Sequence, residues 1–273
     1  MTTTDPPTIG LSYDDDGAGP PLVFLHGGWL SAESWAGQRD RFGNEYRIVV
    51  PDLRGHGRTG PSDACRYSVG LMADDLDSLL TELGIEECVL CGLSLGSMVA
   101  QSYAANHPER IRGLLLAGAV QTFPPVPIPG PMKRLLTPLP MLGGSLTFSG
   151  TGPTFRSLLS TIRPLTGGPW LARDPEVRSA ALDTVDEMSK SEFKKVFSAL
   201  YRFKAPNLED LGVPARVVYG EHEVSLVKRQ SQDLARALDC AVHEIPGAAH
   251  LVNQDNPEAF DEVLSGLLAE VES

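Results

Sequence analysis

The sequence predicts an α/β fold with a mostly parallel central sheet, helices on both faces and an inserted helical cap. Three observations predict it. Short Val-, Leu- and Ile-rich runs alternate with longer amphipathic stretches, the pattern of strand–helix units. The runs are apolar throughout, as in strands covered on both faces. Between residues 121 and 211 the alternation stops and only helical patterns remain. The expected division is therefore a core of 1–120 plus 212–273 and a cap insertion of 121–211.

Taken in order, residues 9–13 read as a first strand, followed by the turn-rich stretch 14–20. Residues 22–25, 47–51, 87–92, 113–118, 215–219 and 241–245 read as the others. The stretch 69–83 sets Leu71, Met72, Leu76, Leu79, Leu80 and Leu83 at helical spacing, and Gly84 stops it. A helix over 94–106 ends before Pro108, because the residue preceding a proline is disfavoured in helix. Helices over 225–238 and 257–271 follow; Asn256 can cap the last, and Pro257 suits its first position. Inside the insertion, residues 123–140 hold seven prolines and read as irregular, extended chain. Residues 155–162, 175–188 and 191–203 are helical candidates.

Composition narrows the function classes. The 273 residues are 42% apolar and 21% charged, which suits a packed chain rather than a disordered one. The 23 basic residues are outnumbered by 35 acidic ones, a net charge of −12. Nucleic acid and anionic membranes, which need clustered Lys and Arg, are therefore not the expected partners. The first residues carry no positive and then apolar signal pattern, and no apolar run approaches the ~18 residues of a membrane span, so a cytoplasmic location is expected. Cys88 and Cys91 form a C-x-x-C pair inside an apolar strand run, which reads as core packing rather than redox chemistry.

Two motifs carry chemistry. Gly92-Leu93-Ser94-Leu95-Gly96 has the form G-x-S-x-G, after a strand and opening a helix. That is the setting of a nucleophile elbow, in which a tight turn exposes a serine hydroxyl at the sheet edge. The alternative is a serine that merely caps the helix. The run at 22–25 ends in His26-Gly27-Gly28-Trp29, where glycines let backbone N–H groups approach a developing oxyanion. The alternative there is a simple strand-ending turn.

With Pro51-Asp52-Leu53-Arg54-Gly55-His56-Gly57-Arg58-Thr59 and Pro246-Gly247-Ala248-Ala249-His250, these motifs resemble the α/β-hydrolase superfamily, in its serine esterase and perhydrolase-like branch with a helical cap. The resemblance implies Ser94 as nucleophile and the N–H groups of Gly28 and Leu95 as oxyanion hole. It places the catalytic histidine at His250. Chain order agrees, since the elbow motif expects Ser, then acid, then His, and His243 lies within a strand. For the acid, the family position after the strand before last falls on Glu223, where Asp is commoner, with Glu221 as the other candidate. The end of the preceding strand offers no carboxylate.

An Asp at position 94 would have implied the alkyl-enzyme ester of an epoxide hydrolase or dehalogenase. No metal-ligand spacing and no G-x-G-x-x-G after a strand is present, so no cofactor is expected. His56 and Arg54 read as packing or hydrogen-bonding residues. The pocket is expected to be apolar, with Trp29 as an aromatic wall and Phe123, Met132, Leu135, Leu136, Met141, Leu142, Phe148 and Phe155 as lining. Arg134, Arg156 and Arg163 could pair with a substrate carboxylate, though solvated charge is the plainer reading. The expected partner is a small, mainly apolar, ester-like molecule, and a homo-oligomer is compatible with the sequence. Cleavage of a carboxylic ester or lactone is the leading reading. Carbon–carbon bond hydrolysis, a cofactor-free lyase or cyclase, and a slow-turnover binding protein remain alternatives for the same pocket.

Overall fold

The computed structural model describes residues 7–124 and 139–273. The chain runs through β1 (Tyr13–Asp16) and β2 (Pro21–Leu25), then a 3-10 turn over Ala32–Trp35 into α1 (Ala36–Phe42). Next come β3 (Arg47–Pro51), α2 (Val69–Glu82), β4 (Cys88–Leu93), α3 (Leu95–Asn106) and β5 (Ile111–Ala117). Four helices follow: α4 (Leu139–Ser149), α5 (Thr151–Thr166), α6 (Pro175–Glu187) and α7 (Lys190–Arg202). The chain then returns through β6 (Ala215–Gly220), α8 (Ser225–Ala237), β7 (Ala241–Ile245), α9 (Val252–Asp255) and α10 (Pro257–Glu272).

The seven strands form one sheet in the order β1-β3-β2-β4-β5-β6-β7. Only β1 runs antiparallel to its neighbour; the other pairs are parallel. Side chains alternate between faces along each strand. Val23, Leu25 and Leu90 therefore pack with Leu76, Met98 and Leu234 of α2, α3 and α8. Leu22, Phe24 and Cys91 pack on the other face with Trp35, Phe42, Phe260 and Leu264. Both faces are covered, which is why the strands read as continuous apolar runs.

The same alternation answers the C-x-x-C pair. Cys88 and Cys91 are three residues apart on β4, so they enter opposite packing clusters and cannot meet. Burial pushes the Cys88 thiol up to about 12 and raises Cys91 as well.

The first strand is a correction. It lies at Tyr13–Asp16, pairing with Pro51–Ile48 of β3, so only Tyr13 of the expected residues 9–13 belongs to it. Three consecutive aspartates are poor strand formers, but here each has a cation within reach. Asp14 pairs with Arg39 at 2.8 Å and Arg58 at 2.6 Å, Asp15 with Arg47 at 2.7 Å, and Asp16 lies 3.9 Å from Arg39. A charged edge strand also discourages pairing with another chain. Residues 9–12 are held by other bonds: Ile9 N–H donates to Asp75 at 2.9 Å and Ser12 N–H to Thr59 at 2.8 Å.

Three further helices, α1, α4 and the four-residue α9, had no counterpart in the periodicity. α1 follows the buried Trp35, whose ring stacks on Phe24 at 4.7 Å. α4 begins within the proline-rich stretch expected to be extended, and α5 is longer than its predicted 155–162. Residues 125–138 of that stretch lie outside the described residues. Among the described residues between β5 and β6 there is no strand, only an isolated bridge of Thr122 with Lys204. No helix among the described residues is long and apolar enough to cross a membrane.

The register positions the site. Leu25 aligns with Gly92, Leu93 with Ala117, Ala117 with Val218, and Gly220 with Ile245. The loops leaving the C-terminal ends of β2, β4, β5, β6 and β7 therefore converge on one edge. β4 sits between β2, whose other neighbour is β3, and β5, so this edge includes the point where strand order reverses, the usual binding crevice of such sheets.

Candidate active site

Ser94 stands on the turn between β4 and α3 with φ +54° and ψ −110°, outside the ordinary regions for a non-glycine residue. The turn is locked by its N–H donating to Ala117 O at 2.8 Å and by close glycine contacts. A Cβ on Gly92 would lie 2.4 Å from Gly96 O, and one on Gly96 would lie 2.1 Å from Leu25 O. Only glycine fits either place, which accounts for both glycines of G-x-S-x-G. The Ser94 side chain makes no capping hydrogen bond with its helix, so the plain capping role does not describe it. Instead Ser94 lines a cavity of about 360 Å³ that His250 also lines.

The turn after β2 packs directly on the elbow. A Cβ on Gly27 would lie 3.5 Å from Ser94 Cβ, and one on Gly28 would lie 3.7 Å from Leu95 Cβ. Leu95 is the first residue of α3, where backbone N–H groups have no intrahelical acceptor. His26, fully buried, braces this turn. Its Nδ1 lies 2.8 Å from Gly27 O, and its Nε2 accepts the Leu53 N–H at 2.9 Å. His56 and Arg54 are structural as well. His56 packs edge-on to His26 with centroids 5.0 Å apart, and Arg54 makes a buried two-point ion pair with Asp75 at 2.6 and 2.7 Å.

His250 Nδ1 lies 2.6 Å from Glu223 Oε2, and the Glu223 side chain is wholly buried. Burial alone would push the Glu223 carboxyl up. The His250 charge and hydrogen bonds from His250, the Trp170 indole and the Val224 N–H outweigh it, so the carboxyl is held below the ordinary glutamate range. An ionised Glu223 can only accept, so the bond places a proton on Nδ1 and leaves Nε2 turned away from the carboxylate. Glu221 is elsewhere: exposed, with its carboxylate on the Gly247 N–H at 2.8 Å. His243 sits within β7, away from the pair.

Trp29, with φ +65°, lines the cavity and stacks on Phe193 of α7 at 4.9 Å. Phe123 and Phe155 also line it. The rest of the expected lining needs correction. Phe148 is 91% exposed, and Leu142 is buried in the packing between helices, not at the cavity. Met132, Leu135, Leu136 and Arg134 lie outside the described residues, as does the Met141 side chain. Arg156 pairs with Asp186 at 2.8 Å on the surface, and neither it nor Arg163 lines the cavity. Beside Phe155, the wall comes from Leu158, Leu159 and Ile162 of α5 and Phe197 and Leu200 of α7. The α5 set follows i, i+3, i+4, i+7, so the sequence did carry that signal. Among the described residues, no Asp, Glu, Lys or Arg lines this cavity. Nor does any group of three or more His, Cys, Asp and Glu among them suit a metal ion.

Trp170 was not foreseen. It lies between α5 and α6, donates its indole N–H to Glu223 Oε1 at 2.5 Å, and stacks on the His250 ring at 4.2 Å. A lone Trp after Gly167-Gly168-Pro169 has no spacing signal that ties it to a carboxylate 53 residues away.

The family model described as "Alpha/beta hydrolase family" matches residues 22–263. Epoxide hydrolase 3 of Xenopus tropicalis is 26% identical over 93% of this chain and 73% of its own length. A thermophilic esterase from Thermogutta terrifontis superposes with a TM-score of 0.82, at 24% identity over 96% of this chain and 94% of that one. The enol-lactonase from Burkholderia xenovorans LB400 superposes with a TM-score of 0.77, at 23% identity over 95% and 96%.

Proposed function

The chain belongs to the alpha/beta hydrolase family, and on that premise we propose that it is a serine hydrolase cleaving a carboxylic ester or lactone through an acyl-enzyme on Ser94. One observation carries the reading: Ser94, free of any capping bond, shares a cavity with a histidine whose Nδ1 is bonded to a buried carboxylate. His250 Nε2 takes the hydroxyl proton as Ser94 Oγ attacks the substrate carbonyl. The N–H groups of Gly28 and Leu95 hold the resulting oxyanion. His250 then gives its proton to the leaving oxygen, and the acyl group stays on Ser94. Water, deprotonated by the same imidazole, attacks the acyl carbon; the acid leaves and Ser94 recovers its proton. Glu223 holds the imidazole in the Nδ1–H tautomer and stabilises its charged form.

The lining supports a neutral substrate of modest size. A free carboxylate entering a cavity lined by Met98, Phe155, Ile162, Phe197 and Leu200 would lose its hydration, with no cation among the described lining residues to replace it. An alkyl-enzyme ester, as in epoxide opening, needs a carboxylate nucleophile, which Ser94 does not provide. The insertion serves in this reading as the cap, whose described helices α5 and α7 supply the apolar wall of the pocket.

The test is a fluorophosphonate probe on the native protein and on Ser94→Ala. Labelling of the native protein only is expected; an unlabelled native protein would sink the nucleophile assignment. On a p-nitrophenyl ester, Glu223→Gln is expected to lose most activity and Glu221→Gln little. The reverse order would overturn the choice of acid.

A further inference from the structure

We propose that Trp170 is a positioning residue for the His250–Glu223 pair, supplied from outside the sheet core. The inference rests on the serine-hydrolase reading of the site and extends it to a residue that the motifs do not contain.

The geometry gives the indole two grips. Its N–H donates to Glu223 Oε1, which also accepts the Val224 N–H at 2.7 Å. Oε2 faces the imidazole at 2.6 Å. With Oε1 held by two donors, the carboxylate cannot rotate to withdraw Oε2 from Nδ1 without breaking charge-assisted hydrogen bonds in a buried place. The second grip is on the imidazole itself. The two rings lie 4.2 Å apart at an interplanar angle of 28°, so the indole face blocks one side of the imidazole. Gly118 closes in near the same ring, since a Cβ there would lie 2.9 Å from His250 Cε1.

The backbone confirms that the two segments form one unit. His250 N–H donates to Trp170 O at 3.0 Å, and Leu251 N–H to Leu171 O at 2.9 Å. The Asp255 carboxylate accepts N–H groups from both sides: Arg173 and Asp174 at 2.9 Å, and Ala249 at 2.8 Å. These main-chain ties hold the indole at a fixed place beside the pair. Outer partners of this kind fix the orientation of a reacting side chain without touching the substrate's reacting atoms.

The experiment uses the full chain and p-nitrophenyl butyrate. Trp170→Phe keeps a stacked ring and removes only the donor; Trp170→Leu removes both. Each variant is checked by thermal melting, so a misfolded one does not decide the outcome. Trp170→Phe is expected to lower kcat about tenfold, with KM within about twofold, and Trp170→Leu to lower kcat further. In a Glu223→Ala background, Trp170→Phe is expected to change kcat less than about twofold, because the group through which it acts is gone. The same fold-loss in both backgrounds, an unchanged kcat, or a rise in KM alone would overturn the proposal and leave Trp170 as a pocket wall. A second readout does not depend on turnover. The His250 Nδ1 proton is expected as a downfield NMR resonance that Glu223→Ala removes and Trp170→Phe shifts. No shift with Trp170→Phe also counts against the proposal. If the native protein fails to label with fluorophosphonate but the resonance still responds to Trp170→Phe, the serine reading falls and the positioning role stands.

Discussion

Gly118→Ala tests how tightly the histidine ring is confined. Gly118 follows β5 with φ +55°, a conformation that disfavours any side chain by about 1–2 kcal/mol. Its added methyl would lie 2.9 Å from His250 Cε1 and 3.2 Å from Nδ1. Carbon contacts settle near 3.5–4.0 Å, so the ring must retreat by about half an ångström or more. It has little room to do so, since Trp170 stacks on it and Glu223 holds Nδ1. A misplacement approaching an ångström in a reacting group can cost ~10²-fold, so kcat/KM should fall ~10–100-fold. Gly84→Ala is the control: φ is +65°, and nothing lies within 4 Å of its Cβ. It should lose a similar 1–2 kcal/mol of stability and no activity. Both variants would be compared by urea unfolding and by initial rates on a p-nitrophenyl ester. If Gly118→Ala loses stability like Gly84→Ala but keeps full kcat/KM, the claim that the ring is confined by its neighbours is wrong.

Other expectations follow from the same contacts. Gly96→Ala sets a Cβ against backbone oxygens and carbon of Leu25 and His26 at 2.1–2.8 Å, so the elbow must deform; a loss above about 3 kcal/mol, or no soluble protein, is expected. Asp75→Asn leaves the buried Arg54 guanidinium without its ion-pair partner and should cost about 3–5 kcal/mol in urea unfolding; a loss under 1 kcal/mol would contradict it. His26 and His56 are buried and held neutral: burial pushes both imidazoles down from 6.5, His56 to about 3. The unfolded chain binds protons below pH 6.5 that these folded imidazoles refuse. Stability contributed by each is therefore intact above 6.5 and is lost as pH falls below it, by up to about 1.4 kcal/mol per pH unit. His56→Gln should flatten the decline measured between pH 7 and 5; an unchanged slope would refute the assignment. Phe148→Ser, at a side chain 91% exposed, should leave KM unchanged and stability within about 0.5 kcal/mol.

Much of the core was legible because its signals are local. The apolar run at 47–51 became β3 unchanged, and those ending near residues 25, 92 and 118 became β2, β4 and β5 with bounds shifted by a residue or two. Gly-x-Ser-x-Gly was legible for the same reason, since its glycines answer contacts within one turn and the neighbouring strand. β1 was misplaced because residues 9–13 have the better strand composition, whereas the three aspartates pair only when Arg39, Arg47 and Arg58 are brought beside them. Phe148 was misjudged because an aromatic residue in a helix gives no direction without knowing which face packs. Exposure of one face of α4 was decided by the helices against it.

By itself, then, the sequence determined the strand–helix alternation, the elbow at Ser94, the glycine turn at Gly27 and Gly28, and the net charge of −12. These are matters of period, backbone freedom and charge, which few residues settle. Tertiary structure decided which of two glutamates, Glu223 or Glu221, reaches His250, because a two-residue difference on one loop sends one carboxylate inward and the other to solvent. It also decided that Trp170 grips that pair, since a contact between segments 53 residues apart depends on how the chain returns to the sheet and leaves no mark in local spacing.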